Sequence, residues 1–355
     1  MDNMDKTQIT IELFNQCKGT CTGCMLTIDE RKAVTPLMSK KVFDLVISKL
    51  NDYSKSVNKM YRPIMAFGDF PAMDPSDQES FFEVFDRYKM HFGFTLTLVD
   101  ESKEDQYFST IDRALSIDDR TLFDITIDPF RLKNNETYRY LMSESVKKMN
   151  HYHMAVLLSE AVLSKISPEE LSEVLRDVFG QNVQVNLAFT PSLSNLEKKN
   201  YGYNVDSAAN YYNRFLDTSP ALQEHRLREI ERYQKSGGDY YNYVTHGFHV
   251  KSDTSIYPVV HTIFGDIILD GRNGSHKALG RLLKQDFCEI LDVESRQINY
   301  MNSYNNLFMD KGDFDCKKCS FYNACRFHGV GLMRKIYKEY ENRTGSCYGP
   351  VDFAS

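Results

Sequence analysis

Six short runs rich in β-branched and aromatic residues, at 8–14, 63–67, 94–99, 122–127, 154–158 and 183–189, alternate with amphipathic segments of helical length. A strand that returns through a helix lies parallel to the one before it, so the pattern demands a parallel sheet covered by helices. The expected fold is α/β: a partial (β/α)6 barrel over residues 8–190, with an open parallel sheet as the competing arrangement. Helix starts are marked. Thr35-Pro36 and Asp74-Pro75 each put a capping side chain before a proline at the first helical position. Ser167-Pro168-Glu169-Glu170 reads as a capping box, and Gly180 as the stop of the helix it begins. In parallel α/β folds the loops after the strands' carboxyl ends carry the chemistry.

Beyond residue 190 the pattern changes. Residues 191–250 hold Tyr201, Tyr203, Tyr211, Tyr212, Tyr233, Tyr240, Tyr241 and Tyr243 and read as a helical bridge, with a helix over 220–234 before Gly237-Gly238. Its tyrosines could line a cleft, but partly buried packing is the plainer reading. Residues 251–350 are turn-rich. "SDTSIYPVVHTIFGDIILDGRNG" reads as a hairpin, and helices are expected over 276–291 and 332–341. A net charge of −6 leaves no basic footprint for nucleic acid. No apolar run is long enough to span a bilayer, and the acidic start MDNMDKTQITIELF is no signal peptide. The expected location is the cytoplasm, with neither a membrane nor a nucleic acid as partner.

In that compartment eight cysteines argue for metal or redox chemistry over structural disulfides. Cys17, Cys21 and Cys24 form C-x3-C-x2-C directly after the first strand, hence at the chemical face of the sheet. Three thiolates can hold three irons of a 4Fe–4S cube and leave the fourth open to a small molecule. Zinc would want a fourth ligand, and no His or Asp lies between Gln16 and Ile28.

This motif in this place resembles the radical S-adenosylmethionine (AdoMet) superfamily. The resemblance implies that Cys17, Cys21 and Cys24 hold a 4Fe–4S cluster whose open iron chelates AdoMet. It further implies that an electron from the cluster cleaves AdoMet to a 5′-deoxyadenosyl radical, which abstracts a hydrogen atom from substrate. "MAFGDFPAM" resembles the Gly-Gly-Glu-Pro-like stretch after the family's second strand. Gly68 matches a glycine there, and Asp69 stands for the glutamate that receives the AdoMet amino group, as a shorter carboxylate still can. A plain strand-to-helix turn would also use Gly and Pro. "ITIDP" resembles the Ser-Ile-Asp-Gly-like stretch at the end of the fourth strand, with Thr126 at the position of a cofactor-reaching serine. Gly23 replaces the aromatic residue that many members carry before the third cysteine, so adenine contacts come from elsewhere.

Cys316, Cys319, Cys325 and Cys347, spaced C-x2-C-x5-C-x21-C, could hold zinc or a second 4Fe–4S cluster. Behind such a barrel they resemble the auxiliary-cluster domain called SPASM, which implies two clusters in this chain. Val259 and Gly329 stand where that domain's inner cluster has cysteines, so one auxiliary cluster is expected where the full domain has two. Lone histidines (His246, His249, His261, His328) read as polar or satisfied core groups before they read as replacement ligands.

Cys288 stands apart. Its plain reading is a small buried hydrophobe. The sharper one, taken from radical epimerases, is a thiol that returns a hydrogen atom to a substrate radical. The architecture implies a peptide or protein substrate, modified as in the maturation of ribosomally made peptides. The segment before Cys17 is too short for the winged-helix domain that captures leader peptides, so a peptide substrate would need a separate recognition protein or would bind the cleft directly, and flavodoxin or ferredoxin is expected as electron donor. Two alternatives stand beside this: a sugar or aminocyclitol dehydrogenase or epimerase, and a non-catalytic binding protein with a relic AdoMet site.

Overall fold

The computed structural model describes residues 7–19, 26, 29–32, 36–58, 60–189, 205–218, 247–262, 265–268 and 278–291. Six parallel strands follow one another in chain order: β1 (Thr7–Glu12), β2 (Tyr61–Ala66), β3 (Gly93–Leu96), β4 (Leu122–Ile127), β5 (His151–Leu158) and β6 (Asn186–Phe189). The helices α1 (Lys40–Ser56), α2 (Pro75–Tyr88), α3 (Glu104–Ile117), α4 (Pro129–Asn134), α5 (Glu136–Lys148), α6 (Glu160–Lys165) and α7 (Pro168–Phe179) connect them, and α8 (Val205–Thr218) packs on α7. Beyond β1 the sheet continues through β7 (Gly247–Val250), which pairs parallel with β1. Then come β8 (Ser255–Thr262) and, both paired with β8, β9 (Gly265–Ile268) and β10 (Gly280–Arg281). The sheet curls until β9, at one side, contacts β6, at the other. A curved parallel sheet wrapped by helices is a partial barrel; the alternation alone allows an open sheet as well.

Local chemistry explains the helices. Asp74 accepts a hydrogen bond from the Ser76 amide at 2.9 Å and starts α2, with Pro75 at its first position. Ser167 does the same for α7 through the Glu170 amide at 3.1 Å, and Gly180 ends that helix at φ +87°. α1 departs from expectation. It starts at Lys40, capped by Ser39, and the turn at Pro36 is spent otherwise, because the Leu37 amide bonds to the Leu13 carbonyl at 2.8 Å.

Alternation along β4 shows which face is which. Phe123, Ile125 and Ile127 are fully buried under the helices, while Asp124 and Thr126 are only half-buried on the inner face. The outer face owes its cohesion to phenylalanine. Phe85 stacks on Phe92 at 4.2 Å, and Phe94 stands edge-on to Phe123 at 5.3 Å. Each buried ring contributes on the order of 2–3 kcal/mol by leaving water.

One further expectation is corrected. Of the helix expected over 276–291, the described residues 278–291 are helical only in α9 (Phe287–Leu291). Ahead of it the Leu279 and Leu282 amides bond to the Ile256 and Thr254 carbonyls, which adds β10 to the edge of β8. A Cβ on Gly280 would meet Ile290 at 2.6 Å, so this tight corner needs glycine. Residues on either side of 250/251 form an antiparallel hairpin, β7–β8, whose first strand extends the barrel sheet. The hairpin read from "SIYPVVHTIFGDI" is present as β8–β9. The helices expected over 220–234 and 332–341 lie outside the described residues. Among the described residues no helix is long and apolar enough to cross a membrane.

Candidate active site

The loops after β1, β2 and β3 meet at the carboxyl ends of the strands. Phe67 and Gly68, just past β2, take successive left-handed conformations at φ +67° and +54°. For Phe67 this is a rare backbone state of the kind that collects at functional sites. Glycine is required next to it, because a Cβ on Gly68 would lie 2.3 Å from the Phe14 carbonyl oxygen. The close approach lets the Asp69 amide donate to the Gln16 carbonyl at 2.8 Å. The β1 and β2 loops are thereby fastened backbone to backbone, one residue from Cys17.

Cys17 is half-buried there. Its amide donates to the Arg31 carbonyl at 3.1 Å, and its sulfur receives the Gly19 amide at 3.2 Å. The Thr97 hydroxyl, just past β3, lies 3.6 Å from the same sulfur. Asp69, given to the AdoMet amino group by resemblance, is only 1% exposed. Its Oδ1 accepts from the Thr97 amide at 3.1 Å and its Oδ2 from the Tyr107 hydroxyl at 2.6 Å. As placed, the carboxylate has no surface to offer a ligand. Burial pushes its pKa up, against the pull of the Tyr107 and Thr97 hydrogen bonds. Burial also raises the Tyr107 phenol, with the Asp69 carboxylate adding to the effect. Tyr107 accepts in turn from the Asp100 amide at 3.0 Å, and Asp100 pairs with Lys18 at 2.8 Å. Burial alone would raise the Asp100 carboxyl, yet Lys18 and Ser102 hold it below the ordinary range.

The inner face of the barrel is polar. Thr10 on β1 bonds to His249 Nδ1 on β7 at 3.0 Å, and the Phe67 ring stands edge-on to that imidazole at 5.2 Å. His249 is thus a bonded core histidine, as expected. Deeper in, Asp124, His153 and Asn186 form a hydrogen-bonded row across β4, β5 and β6, with Asp124 Oδ1 2.8 Å from His153 Nδ1. Thr126 lies one inward position above Asp124, beside Ala155 in register.

The structure brings Cys17, Gly68, Asp69 and Thr126 to the carboxyl end of the barrel. It does not bring Cys288 there. α1 starts next to Leu13 and ends at Ser56, whose hydroxyl is 3.7 Å from the Cys288 sulfur. Seventeen helical residues, about 25 Å, therefore separate Cys288 from the β1 loop. Cys288 is also exposed, which corrects its reading as a buried hydrophobe. Cys21, Cys24, Cys316, Cys319, Cys325 and Cys347 lie outside the described residues. Among the described residues no group of three or more His, Cys, Asp or Glu side chains could hold a metal. Sequence reasoning missed Thr97 and Tyr107. They stand 28 and 38 residues from Asp69, and nothing in the sequence links positions so far apart.

The residues present fit a cluster and a polar ligand. Cys17 offers a sulfur that already receives an N–H, as a metal-bound thiolate requires. Two residues before it, Asn15 is 3% exposed, and its Oδ1 has no hydrogen-bond partner. A buried acceptor lacking a donor suits an ammonium or N–H group from a ligand.

No protein-family model and no curated protein matches the sequence. Solved structures do. The chain is similar to anSMEcpe, a sulfatase-maturating radical AdoMet enzyme, with bound AdoMet: TM-score 0.66, 13% identity, covering 95% of this chain and 97% of that one. A second form of that protein, carrying a polyhistidine tag and with bound AdoMet, gives TM-score 0.64 and 12% identity over 98% of each chain. A third, with bound AdoMet and the Cp18Cys peptide, gives TM-score 0.63 and 11% identity over 95% and 97%. This chain has the fold of those AdoMet-bound enzymes.

Proposed function

We propose that the protein is a radical AdoMet enzyme that abstracts a hydrogen atom from a peptide or protein substrate. The observation that carries this reading is the place of C-x3-C-x2-C: its first thiol stands at the carboxyl end of β1, half-buried and receiving an N–H, inside a partial barrel. A 4Fe–4S cluster on Cys17, Cys21 and Cys24, with AdoMet, would supply an electron and a 5′-deoxyadenosyl radical. The chain's own residues hold and enclose. Gly68 lets the β2 loop close onto the β1 loop, and Thr126 would border the cofactor from β4. The polar inner face offers hydrogen-bonding partners to a substrate chain. A peptide is favoured over a sugar because a neighbour of the same fold is solved with a peptide bound. Cys316, Cys319, Cys325 and Cys347 would hold one auxiliary cluster as a staple or electron relay, with flavodoxin or ferredoxin as the outside donor.

The test is anaerobic. Protein loaded with iron and sulfide is given dithionite and AdoMet, and 5′-deoxyadenosine is quantified. Product that vanishes in the Cys17→Ala/Cys21→Ala/Cys24→Ala variant is the expected result. A fully iron-loaded protein that makes none, with or without a peptide library, refutes the reading.

A further inference from the structure

Six polar residues join the loops after β1, β2 and β3 into a closed ring. Cys17 Sγ faces the Thr97 hydroxyl at 3.6 Å, a hydrogen-bonding distance for the larger sulfur atom. The Thr97 amide donates to Asp69 at 3.1 Å, Asp69 accepts from Tyr107 at 2.6 Å, and Tyr107 accepts from the Asp100 amide at 3.0 Å. Asp100 pairs with Lys18 at 2.8 Å, and Lys18 is the chain neighbour of Cys17. A carboxylate this buried is costly unless it fixes something. Here it takes the Thr97 amide, from a turn in which Leu98 is held at φ +52°. Such a backbone state persists only where its surroundings over-determine it.

We propose that Thr97 is a positioning residue for the Cys17 thiolate, anchored by the Asp69–Tyr107 pair, and that its hydroxyl raises the reduction potential of the metal centre that Cys17 ligates. The inference rests on the functional reading above and goes further, because it reassigns Asp69 from a cofactor contact to a structural anchor. The Thr97 side chain also interacts with the Asp69 carboxylate, and either atom of the Cys17–Thr97 contact could donate; a metal-bound Cys17 sulfur carries no proton, so in the loaded protein the hydroxyl would be the donor. Gly19 supplies a second donor to the same atom at 3.2 Å. The reduced cluster carries one more negative charge than the oxidised one, so a donor to its sulfur stabilises the reduced form more.

The iron-loaded full chain is titrated anaerobically with redox mediators. The signal followed by electron paramagnetic resonance is the one that changes when AdoMet is added. Thr97→Val should lower the reduced-to-oxidised ratio at a fixed potential about tenfold, a shift of about 59 mV for one electron. Thr97→Ser, which keeps the hydroxyl, should return the ratio to within about threefold of the parent. Equal potentials for Thr97→Val and the parent at equal iron content overturn the proposal, as do equal shifts for Val and Ser. If Thr97→Val does not load iron, Tyr107→Phe is titrated in its place. A fall of about threefold or more supports the role, and no change overturns it. A parent that loads no Cys17-dependent cluster refutes the functional reading and, with it, this inference.

Discussion

Replacing Gly68 by alanine should destabilise the fold severely and loosen the cysteine loop. The backbone there has φ +54°, which costs a residue with a side chain about 1–2 kcal/mol. The added Cβ would sit 2.3 Å from the Phe14 carbonyl oxygen and 3.0 Å from Asn15 Cα. Both are backbone atoms, so no flexible side chain can swing away, and the loops must part by about 1 Å to reach ordinary contact distance. Overpacking of this kind costs about 1–3 kcal/mol. The sum, about 2–5 kcal/mol, is a large share of the ~5–15 kcal/mol that a domain usually has. Urea unfolding of the metal-free chain, followed by far-UV circular dichroism without oxygen, should show the midpoint fall by about 1 M. Parting the loops also removes the Asp69–Gln16 hydrogen bond, so the variant should bind less iron per chain. A midpoint within about 0.2 M of the parent would show that the close approach does not hold these loops together.

Tyr107→Phe leaves the buried Asp69 carboxylate short of a donor and should cost about 1–3 kcal/mol in the same unfolding assay; no loss would make the bond incidental. Burial raises the Asp69 carboxyl, so its contribution to stability is complete below the unfolded value, about 3.9, and is lost as pH climbs through the higher folded value. The parent should therefore lose stability relative to Asp69→Asn as pH rises from about 4, and parallel pH curves would contradict this. Cys288 is exposed and far from the site, so Cys288→Ala should leave the 5′-deoxyadenosine yield unchanged. A large loss of product would mean that Cys288 reaches the chemistry after all. Ser167→Ala removes the α7 cap and should cost about 1 kcal/mol by urea midpoint; a cost near zero would mean that Pro168 suffices to start the helix.

Local signals carried the barrel. β4 occupies the very residues expected, and α2 and α7 begin at their Asp-Pro and Ser-Pro caps, because period-2 burial and capping are written within a few residues. The failures are non-local. Pro36 offers a helix start, but its turn is committed to Leu13, and α1 waits for Ser39. Residues 278–282 have a helix-like composition and are drawn into the sheet by β8 amide and carbonyl groups that no sequence window contains. The site divides the same way. Cys17 and Gly68 are legible because spacing and glycine chemistry are local. Asp69 is not, since a buried carboxylate and a ligand-facing one have the same sequence, and only the fold brings Tyr107 and Thr97 to it.

The central claim is that an open iron beside Cys17 holds AdoMet. Electron paramagnetic resonance of the dithionite-reduced, iron-loaded chain, with AdoMet carrying nitrogen-15 in its amino group, reads that bond directly. A cluster signal that changes on adding AdoMet, couples to the labelled nitrogen and is absent from Cys17→Ala is the result expected. A signal indifferent to AdoMet, or one that persists in Cys17→Ala with the label coupling intact, would contradict the account.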